Sequence, residues 1–273
     1  MNLKFHLQSI LNRVKIYPRV LIFNKGRIHH NSKFTFLNDG LFTTHFFEGA
    51  QDKLFQKSLE FARSRVKHPL YHEYRLYFAT KIILFLVERS RRSGSKFIYL
   101  ECGVGEGHTF LVSQKYLDLL NKYEDIQSKA NFIMMDTYEG VDESILTETE
   151  KNSNRKFVTK PYFDSTLEKV KKRLSFKEFN FQFIKGSIPN SLDNLKKAHQ
   201  SPDFLHIDMN NTFPEVKALE YFIPKMKSGS FILLDDYSFQ TAGEQREGIN
   251  DLLEKLKYPY PISLPTGQGL III

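Results

Sequence analysis

Residues 96–107 read KFIYLECGVGEG, an apolar run that ends in an acid and three closely spaced glycines. The run 96–102 predicts a short buried strand, and the glycines predict a tight turn that opens a helix over 107–121. Glycine lacks a Cβ, so such a turn lets a ligand approach the backbone closely. In an open α/β sheet this turn lies at the carboxyl end of a strand, where ligands bind. The stretch therefore predicts an α/β fold with a binding site at the turn.

The glycine spacing separates this turn from two common nucleotide-binding motifs. The chain has G-x-G-x-G at 103–107, whereas the dinucleotide fingerprint is G-x-G-x-x-G, and the chain has no G-x-x-x-x-G-K-[ST] sequence. Glu101 stands two residues before Gly103 and suits a ligand with a cationic group better than a pyrophosphate. These features argue against a dinucleotide-dependent oxidoreductase. A plain tight turn without a ligand stays open as the alternative.

Outward from the turn, β-rich runs alternate with helical stretches, which predicts βαβ units and a mostly parallel sheet covered on both faces. The predicted strands are 96–102, 131–136, 181–186, 203–210, 231–237, 261–264 and 269–273. The predicted helices are 51–66, 71–92, 107–121, 164–174, 190–199, a helix that starts near Pro214 and ends before Gly229, and 244–257. The polar stretch 139–163 is predicted as a loop that is either a lid or a mobile surface segment.

The composition is that of an ordinary globular protein. The 273 residues are 41% hydrophobic and 26% charged, which excludes a chain disordered throughout, a collagen and a coiled coil. A single cysteine excludes an intrachain disulfide framework and a cysteine-based zinc site. The longest apolar run, Ile82–Val87, is too short to span a bilayer, and residues 1–20 show no signal peptide. We therefore expect a cytoplasmic protein.

The net charge of +8 belongs to the first quarter of the chain. Residues 1–70 carry 12 basic and 4 acidic side chains, whereas residues 71–273 carry 27 of each. This asymmetry argues against a nucleic-acid partner and predicts a basic, mainly helical, aromatic-rich extension over 1–70 ahead of a domain over 71–273. Residues 1–17 predict a basic amphipathic helix. It either docks on the domain or on a second subunit, or lies on the inner membrane surface.

A second candidate ligand residue ends the next strand. Asp136 follows NFIMM at the point where that strand should leave the sheet. A carboxylate there can accept hydrogen bonds from both hydroxyl groups of a ribose. The alternative is that Asp136 caps the segment that follows it. Because Glu101 provides a second candidate ligand residue at the end of the neighbouring strand, we favour the ribose role for Asp136.

The combination of motifs resembles a known family. Glu-x-Gly-x-Gly-x-Gly followed by a strand-end Asp resembles the class I S-adenosylmethionine (SAM)-dependent methyltransferases. The runs FIYLECGVGEG, MMDTYEGV, FLHIDMN, ALEYFIPKMKSGSF and LLDDYSF are similar, in order and spacing, to the macrocin- and mycinamicin-type sugar O-methyltransferases. The resemblance covers roughly residues 72–273. Each motif alone is unspecific, but the combination is specific.

The resemblance implies a Rossmann-like sheet of seven strands with the last one antiparallel, and SAM as cofactor. It implies transfer of a methyl group to a hydroxyl of a sugar or glycosylated small molecule, in natural-product or glycan modification. The residues that it places around SAM are Glu101, Gly103, Gly105, Gly107, Asp136, Thr137, Gly186, Ser187 and Asp208.

The resemblance also implies a divalent metal, bound by Asp208 after the fourth strand and by Asp235 and Asp236 after the fifth. Hard carboxylate oxygens suit Mg²⁺ or Ca²⁺, and such a cation would remove the repulsion between three converging carboxylates. The alternatives are a turn pair that caps a helix for Asp235 and Asp236, and a hydrogen-bonded strand-end residue for Asp208.

One departure from the family pattern concerns catalysis. The better-characterised members read D-x-D at the fourth strand, where the second Asp is the proposed base, but this chain reads Asp208-Met209-Asn210. Asn210 cannot take a proton, so we expect a metal to activate the hydroxyl, with Asp208, Asn210 and His206 as the catalytic set. His206 is either a base or a buried core histidine. A SAM-fold protein without activity that acts as a binding or scaffold module stays open.

Overall fold

The computed structural model describes residues 48–70, 72–121, 126, 128–152, 165–175, 179–238 and 242–273. The predicted helix 1–17 and nearly all of the aromatic-rich segment before residue 50 lie outside the described residues. The division of the chain at residue 70 stays a prediction. In the described part of the chain, no helix is long and apolar enough to cross a membrane.

The centre of the fold is a sheet of seven strands in the order β3-β2-β1-β4-β5-β7-β6. The strands are β1 Phe97–Cys102, β2 Ala130–Asp136, β3 Phe181–Lys185, β4 Phe204–Ile207, β5 Phe231–Leu234, β6 Ile262–Ser263 and β7 Gly269–Ile272. Strands β1 to β5 pair in parallel, and β7 runs antiparallel to β5 and to β6. The predicted seven-stranded, mostly parallel, Rossmann-like sheet with an antiparallel last strand is confirmed.

The helices also follow the predicted order, with shorter bounds. They are α1 Glu48–Gln51, α2 Lys53–Arg63, α3 Glu73–Ser93, α4 His108–Leu119, α5 Glu148–Asn152, α6 Leu167–Leu174, α7 Thr212–Phe222 and α8 Gly243–Leu256. The predicted helix 190–199 is instead two short 3₁₀ turns, Asn190–Asn194 and Lys197–His199. The predicted loop 139–163 contains α5 and a 3₁₀ turn at Glu143–Ile145.

The sheet is buried on both faces. Neighbouring residues of each strand point to opposite sides, so each central strand contributes side chains to the core on both faces. On one face Tyr99 packs in an aromatic cluster, with ring centroids 5.2 Å from Phe110 and 5.3 Å from Phe204. The next residue, Leu100, belongs to the core on the other face, under α7 and α8. Both side chains are fully buried. Apolar side chains on both faces explain why the central strands read as continuous apolar runs.

Helix α2 precedes the predicted domain boundary but packs on the sheet domain. Asp52 caps it by accepting hydrogen bonds from the backbone amides of Leu54 and Phe55. Phe55 is fully buried and meets Tyr77 of α3 edge to face at 4.9 Å. Residues of α2 therefore contribute to the core that supports the glycine turn.

The residues just past the strand ends are held by hydrogen bonds that continue the parallel ladder. The backbone amides of Asp208 and Asp235 donate to Cys102 and Ile207 at 2.8 and 2.9 Å. This ladder aligns the ends of β1, β4 and β5, so groups far apart in sequence reach one edge of the sheet.

Gly103 allows the closest of these approaches. A Cβ at this position would lie 1.9 Å from the carbonyl oxygen of Asp208, and the backbone of Gly103 has φ +89°. Gly105 also has a positive φ, +53°, but a Cβ there would meet nothing within 4 Å. Glycine is required at position 103 because the ends of two strands pack closely there. At position 105 it is favoured only because the backbone has a positive φ.

We expect Gly103→Ala to lower the free energy of unfolding by more than about 3 kcal/mol, because a backbone overlap adds to the strain of a left-handed conformation. The matched control Gly105→Ala carries only the conformational cost and should lose about 1 kcal/mol. Urea denaturation followed by circular dichroism measures both changes. Equal losses in the two variants would contradict this account.

Candidate functional site

The glycine turn joins β1 to α4 through three residues with positive φ, at Gly103, Gly105 and Gly107. The carboxylate of Asp136 lies behind the turn, where one oxygen accepts the backbone amides of Val104 and Gly105 at 2.7 and 3.0 Å. Its other oxygen accepts the amide of Tyr138 at 2.6 Å. Burial raises the pKa of Asp136 despite these hydrogen bonds. Asp136 thus ties β2 to the turn, and its ribose role stays a prediction.

A cavity opens along this edge of the sheet, from the end of β3 to the start of α7. It brings together most residues predicted to surround the cofactor and the acceptor. Those on its wall are Glu101, Gly103, Gly105, Asp136, Thr137, Gly186, Ser187, Asp208 and Asn210. Gly107, His206, Asp235 and Asp236 do not line it. At Gly107, a Cβ would instead meet the Leu174 side chain at 3.2 Å.

Glu106, the acid inside the glycine turn, has a role that the motif reading missed. It accepts the backbone amides of Lys67 and His68 at 2.6 and 3.1 Å, and its carboxylate lies 2.9 Å from His68 Nδ1. These contacts hold the segment after α2 beside the cavity, which His68 lines. No spacing rule links residues 67–68 to residue 106, so only the fold reveals this contact.

His108, the first residue of α4, is a second wall residue that sequence reasoning missed. It is 4% exposed, and neither ring nitrogen has a hydrogen-bond partner among the described residues. Burial and the positive charge of Arg63 lower the pKa of His108 to about 4, although Glu106 acts in the opposite direction. The imidazole therefore faces the cavity uncharged at neutral pH.

At the other end of the cavity, Glu215 of α7 positions the turn after β4. Its Oε1 accepts the backbone amides of Met209 and Asn210 at 3.2 and 3.1 Å. Asn210 has φ +60°, a conformation that Asn adopts more readily than most residues. From there Asn210 Nδ2 donates to Asp208 Oδ1 at 3.3 Å. The side chains of Asp208 and Asn210 thus form one polar unit on the cavity wall.

The described part of the predicted lid is tied to the domain. Glu150 of α5 accepts both the backbone amide and the hydroxyl of Thr212 at 2.7 Å, at the start of α7. Thr147 donates to Glu244 at 2.6 Å. Asp142 and Ile145 line the cavity. The predicted lid role for the whole stretch stays a prediction, since residues 153–163 lie outside the described residues.

The acid pair after β5 is paired with a guanidinium group. Arg75 of α3 places Nη1 2.7 Å from Asp235 Oδ2 and 3.3 Å from Asp236 Oδ1. Burial alone would raise the pKa of Asp235, but Arg75 and His206 hold it well below its usual range. Burial alone would lower the pKa of Arg75, but the two carboxylates outweigh it and raise that pKa.

His206 lies between two acids inside the sheet, one strand away from each. Its Nδ1 is 3.4 Å from Glu101 Oε1, and its Nε2 is 3.8 Å from Asp235 Oδ1, outside hydrogen-bond geometry on both sides. Burial opposes its protonation, but Asp235 and Glu101 raise the pKa of His206 to about 10. An imidazolium has no lone pair to accept a proton, so this pKa does not favour His206 as the base. That role stays a prediction.

The three acids predicted to bind a metal occupy different surroundings. Asp208 lies on the cavity, and burial together with Asp235 and Asp236 raises its pKa well above its usual range. Asp235 and Asp236 face Arg75 instead. Among the described residues, no group of three His, Cys, Asp or Glu side chains has the arrangement of a metal site. The predicted metal role is not supported by these contacts.

His108 generates a testable pH dependence. Its pKa is about 4 in the folded protein and near its ordinary 6.5 in the unfolded chain. The unfolded chain therefore binds the proton more tightly, and stability present at neutral pH is lost as the pH falls through 6.5. Between about pH 7 and pH 5, the intact protein should lose about 2 kcal/mol more unfolding free energy than His108→Gln. Urea denaturation at the two pH values measures this difference, and parallel losses in both proteins would rule the effect out.

Comparisons with known proteins agree with this geometry. Residues 100–237 match the protein family described as "Methyltransferase domain". The fold resembles that of the O-methyltransferase NovP, with a TM-score of 0.57 and 14% identity over 72% of this chain and 78% of that one.

A second solved structure with the same fold is that of the calicheamicin methyltransferase CalS11. Its TM-score is 0.52 at 12% identity, over 84% of this chain and 94% of that one. At such identities both likenesses establish the fold. No curated protein matches the sequence. Because the family match spans half of the chain and coincides with the glycine turn, the strand-end acids and the sheet, this protein belongs to the methyltransferase-domain family, as a SAM-dependent methyltransferase of class I.

Proposed function

We propose that this protein transfers the methyl group of SAM to a hydroxyl group of a sugar or of a glycosylated small molecule. One observation carries the proposal: a single cavity joins the glycine turn and Asp136 to a polar end formed by Asp208, Asn210 and Asn211. The first end fits the cofactor of the family, and the second fits an acceptor rich in hydroxyl groups. The sugar-type motifs 134–141 and 204–210 contribute to both ends.

The cofactor end offers both backbone and side-chain groups. Gly105 leaves open space beside the backbone, since a Cβ there would meet nothing within 4 Å, and Glu101 is a buried carboxylate that lines the cavity. A carboxylate there suits the ammonium group of the methionine part of SAM. Gly186 and Ser187, past β3, line the opposite side and would lie next to the adenine.

The acceptor end contains a polar atom that lacks a partner. Asn211 is 2% exposed and lines the cavity, and its Oδ1 has no hydrogen-bond partner among the described residues. A buried acceptor atom without a donor costs free energy, so a donor from a bound molecule would stabilise it. A sugar hydroxyl supplies such a donor. Asp208 and Asn210 lie beside it on the same wall.

Methyl transfer requires an oxygen lone pair in line with the S–CH₃ bond, and most of the rate gain comes from positioning. Bound SAM supplies the methyl group. The O–CH₃ bond forms as the S–CH₃ bond breaks, and Asp208 accepts the proton of the hydroxyl. Asn210 orients the Asp208 carboxyl through its amide at 3.3 Å. Burial, together with Asp235 and Asp236, raises the pKa of Asp208. A higher pKa gives the ionised carboxylate a greater proton affinity, and only this ionised form acts as the base.

Magnesium does not enter this reaction scheme. The predicted ligands Asp235 and Asp236 are paired with Arg75, so the donor set beside Asp208 does not fit a divalent cation. The predicted membrane contact depends on residues 1–47, outside the described residues, and stays a prediction. Homo-oligomer formation also stays open.

Cofactor binding is the first test. We expect the intact protein to bind SAM and S-adenosylhomocysteine with micromolar dissociation constants in calorimetry. Asp136→Asn should weaken both by at least about tenfold, because an amide replaces a carboxylate that contacts the turn and lines the cavity. The control Asp251→Asn changes an exposed carboxylate on α8 and should leave affinity unchanged. A folded protein that binds neither compound would contradict the proposal and favour the scaffold alternative.

Acceptor chemistry is the second test. Nucleotide-linked sugars and glycosides are incubated with SAM, and mass spectrometry detects the gain of one methyl group; matched deoxy analogues identify the hydroxyl. Asp208→Asn should lower turnover by about 10²- to 10⁴-fold with SAM affinity retained, since it removes the base and keeps the side-chain shape. Methylation of catechols but of no sugar hydroxyl would contradict the acceptor class, and full activity of Asp208→Asn would contradict the base.

A further inference from the structure

We propose that Arg75 is a built-in cation that takes the place of a divalent metal at Asp235 and Asp236, so that this protein binds no metal there. This inference deepens the proposed function, because it states how the acceptor side is organised. It starts from a disagreement between sequence and structure. The motif after β5 implies metal ligands, whereas the side chains form an ion pair.

The guanidinium group of Arg75 is fixed by more than the two acids. Its Nη1 contacts Asp235 at 2.7 Å and Asp236 at 3.3 Å, while its Nε donates to the backbone carbonyl of Thr266 at 2.9 Å. Arg75 is 8% exposed and belongs to the buried face of α3. The carbonyl of Thr266 orients the guanidinium independently of the carboxylates. A metal ion would have to displace a side chain that is held from two directions.

The other oxygen of Asp235 is also engaged. Gln268 Nε2 donates to Asp235 Oδ1 at 2.8 Å, and the amide oxygen of Gln268 accepts the hydroxyl of Thr266 at 3.1 Å. The Gln268 amide therefore presents its nitrogen, which cannot bind a metal, toward Asp235. Mg²⁺ and Ca²⁺ need six or more oxygen ligands close around them. Both oxygens of Asp235 instead face N–H donors.

The third predicted ligand, Asp208, is close enough to this pair for their charges to interact, but its hydrogen-bond partner is a different residue. Asp208 Oδ1 accepts from Asn210 Nδ2, and Asp208 lines the cavity, which Asp235 and Asp236 do not. The family resemblance implies an Asp at the position where this chain has Asn210. An amide donor at that position provides Asp208 with a hydrogen bond that a second carboxylate could not. The replacement of Asp by Asn210 and the ion pair of Arg75 thus both disfavour a metal ion at these acids.

A guanidinium group is a suitable replacement for a metal beside two acids. It stays charged at every physiological pH and offers several N–H donors in a planar fork. Two adjacent, partly buried carboxylates without a cation would repel each other, and Arg75 removes that cost permanently. Unlike a metal, it cannot be lost by dilution or chelation. The end of β5 therefore keeps one arrangement whether or not divalent cations are present.

Metal binding by the intact protein tests the inference directly, without SAM and without an acceptor. Mn²⁺ is titrated alone and followed by electron paramagnetic resonance, and Mg²⁺ and Ca²⁺ are titrated by calorimetry. We expect no saturable binding and the same Tm in EDTA as in Mg²⁺. Saturable Mn²⁺ binding that disappears in Asp235→Asn would overturn the inference. The SAM titration is a separate measurement, so failure of the proposed function is distinguished from failure of this inference.

Replacement of the arginine provides the positive test. Arg75→Gln removes the guanidinium group from Asp235 and Asp236 and leaves His206 as the neighbouring cation of Asp235 alone. The Tm of Arg75→Gln should therefore fall, and it should rise again, with saturation, as Mg²⁺ or Mn²⁺ is added. The matched control is Arg89→Gln on the same helix, where Arg89 contacts Asp203 and the carbonyl of Gly229, both at 2.7 Å. Its Tm should fall without any recovery in metal. A metal-dependent recovery in both variants, or a Tm of Arg75→Gln equal to that of the intact protein, would contradict the inference.

If Arg75→Gln does not fold, Arg75→Lys is used in its place, because it keeps the positive charge. The metal titration of the intact protein does not depend on either variant and tests the inference by itself.

Discussion

The close approach of two strand ends is the constraint on which the site depends. The backbone of residue 103 passes so near the carbonyl of Asp208 that only glycine fits. The ladder hydrogen bond from Asp208 to Cys102 holds β1 and β4 at this spacing. Gly103 and Asp208 both line the cavity, so the wall proposed for the cofactor and the wall proposed for the acceptor meet at this contact. The stability of the sheet and the geometry of the site therefore cannot be varied independently at this position.

The sequence was sufficient to predict the sheet and part of the cavity wall, for a physical reason. Central parallel strands are buried on both faces, so they appear as short apolar runs between turn residues, and the runs at 97–102 and 130–136 are of this kind. Strand ends of one sheet converge on one edge. Glu101, Gly103, Gly105 and Asp136 are therefore assigned to a common site from the residue pattern, and the family resemblance adds Asp208.

Side-chain partners were not predictable in the same way. The hydrogen bond between Arg75 and Thr266 joins residues 191 positions apart, and no spacing pattern signals it. Glu106 in the glycine turn and His68 are likewise joined only by the packing of α2 on the domain. Asp136 lies at the end of β2 as predicted, but the contacts of its carboxylate with the turn amides were not predictable from its position. Motifs indicate where polar groups gather, whereas the fold determines which of them pair.

The position of Arg75 in the chain also affects which properties can be inferred from one member of the family to another. The family match ends at residue 237 and begins at residue 100, so it contains both acids after β5 but neither Arg75 nor Thr266 and Gln268. If Arg75 replaces the metal as proposed, two proteins that share this segment can differ in their need for magnesium because of a flanking helix and a terminal hairpin. An inventory of enzymes based on the shared segment alone would assign metal dependence to both. The regions outside the shared segment, which hold Arg75, Thr266 and Gln268, determine whether the acids after β5 face a guanidinium group.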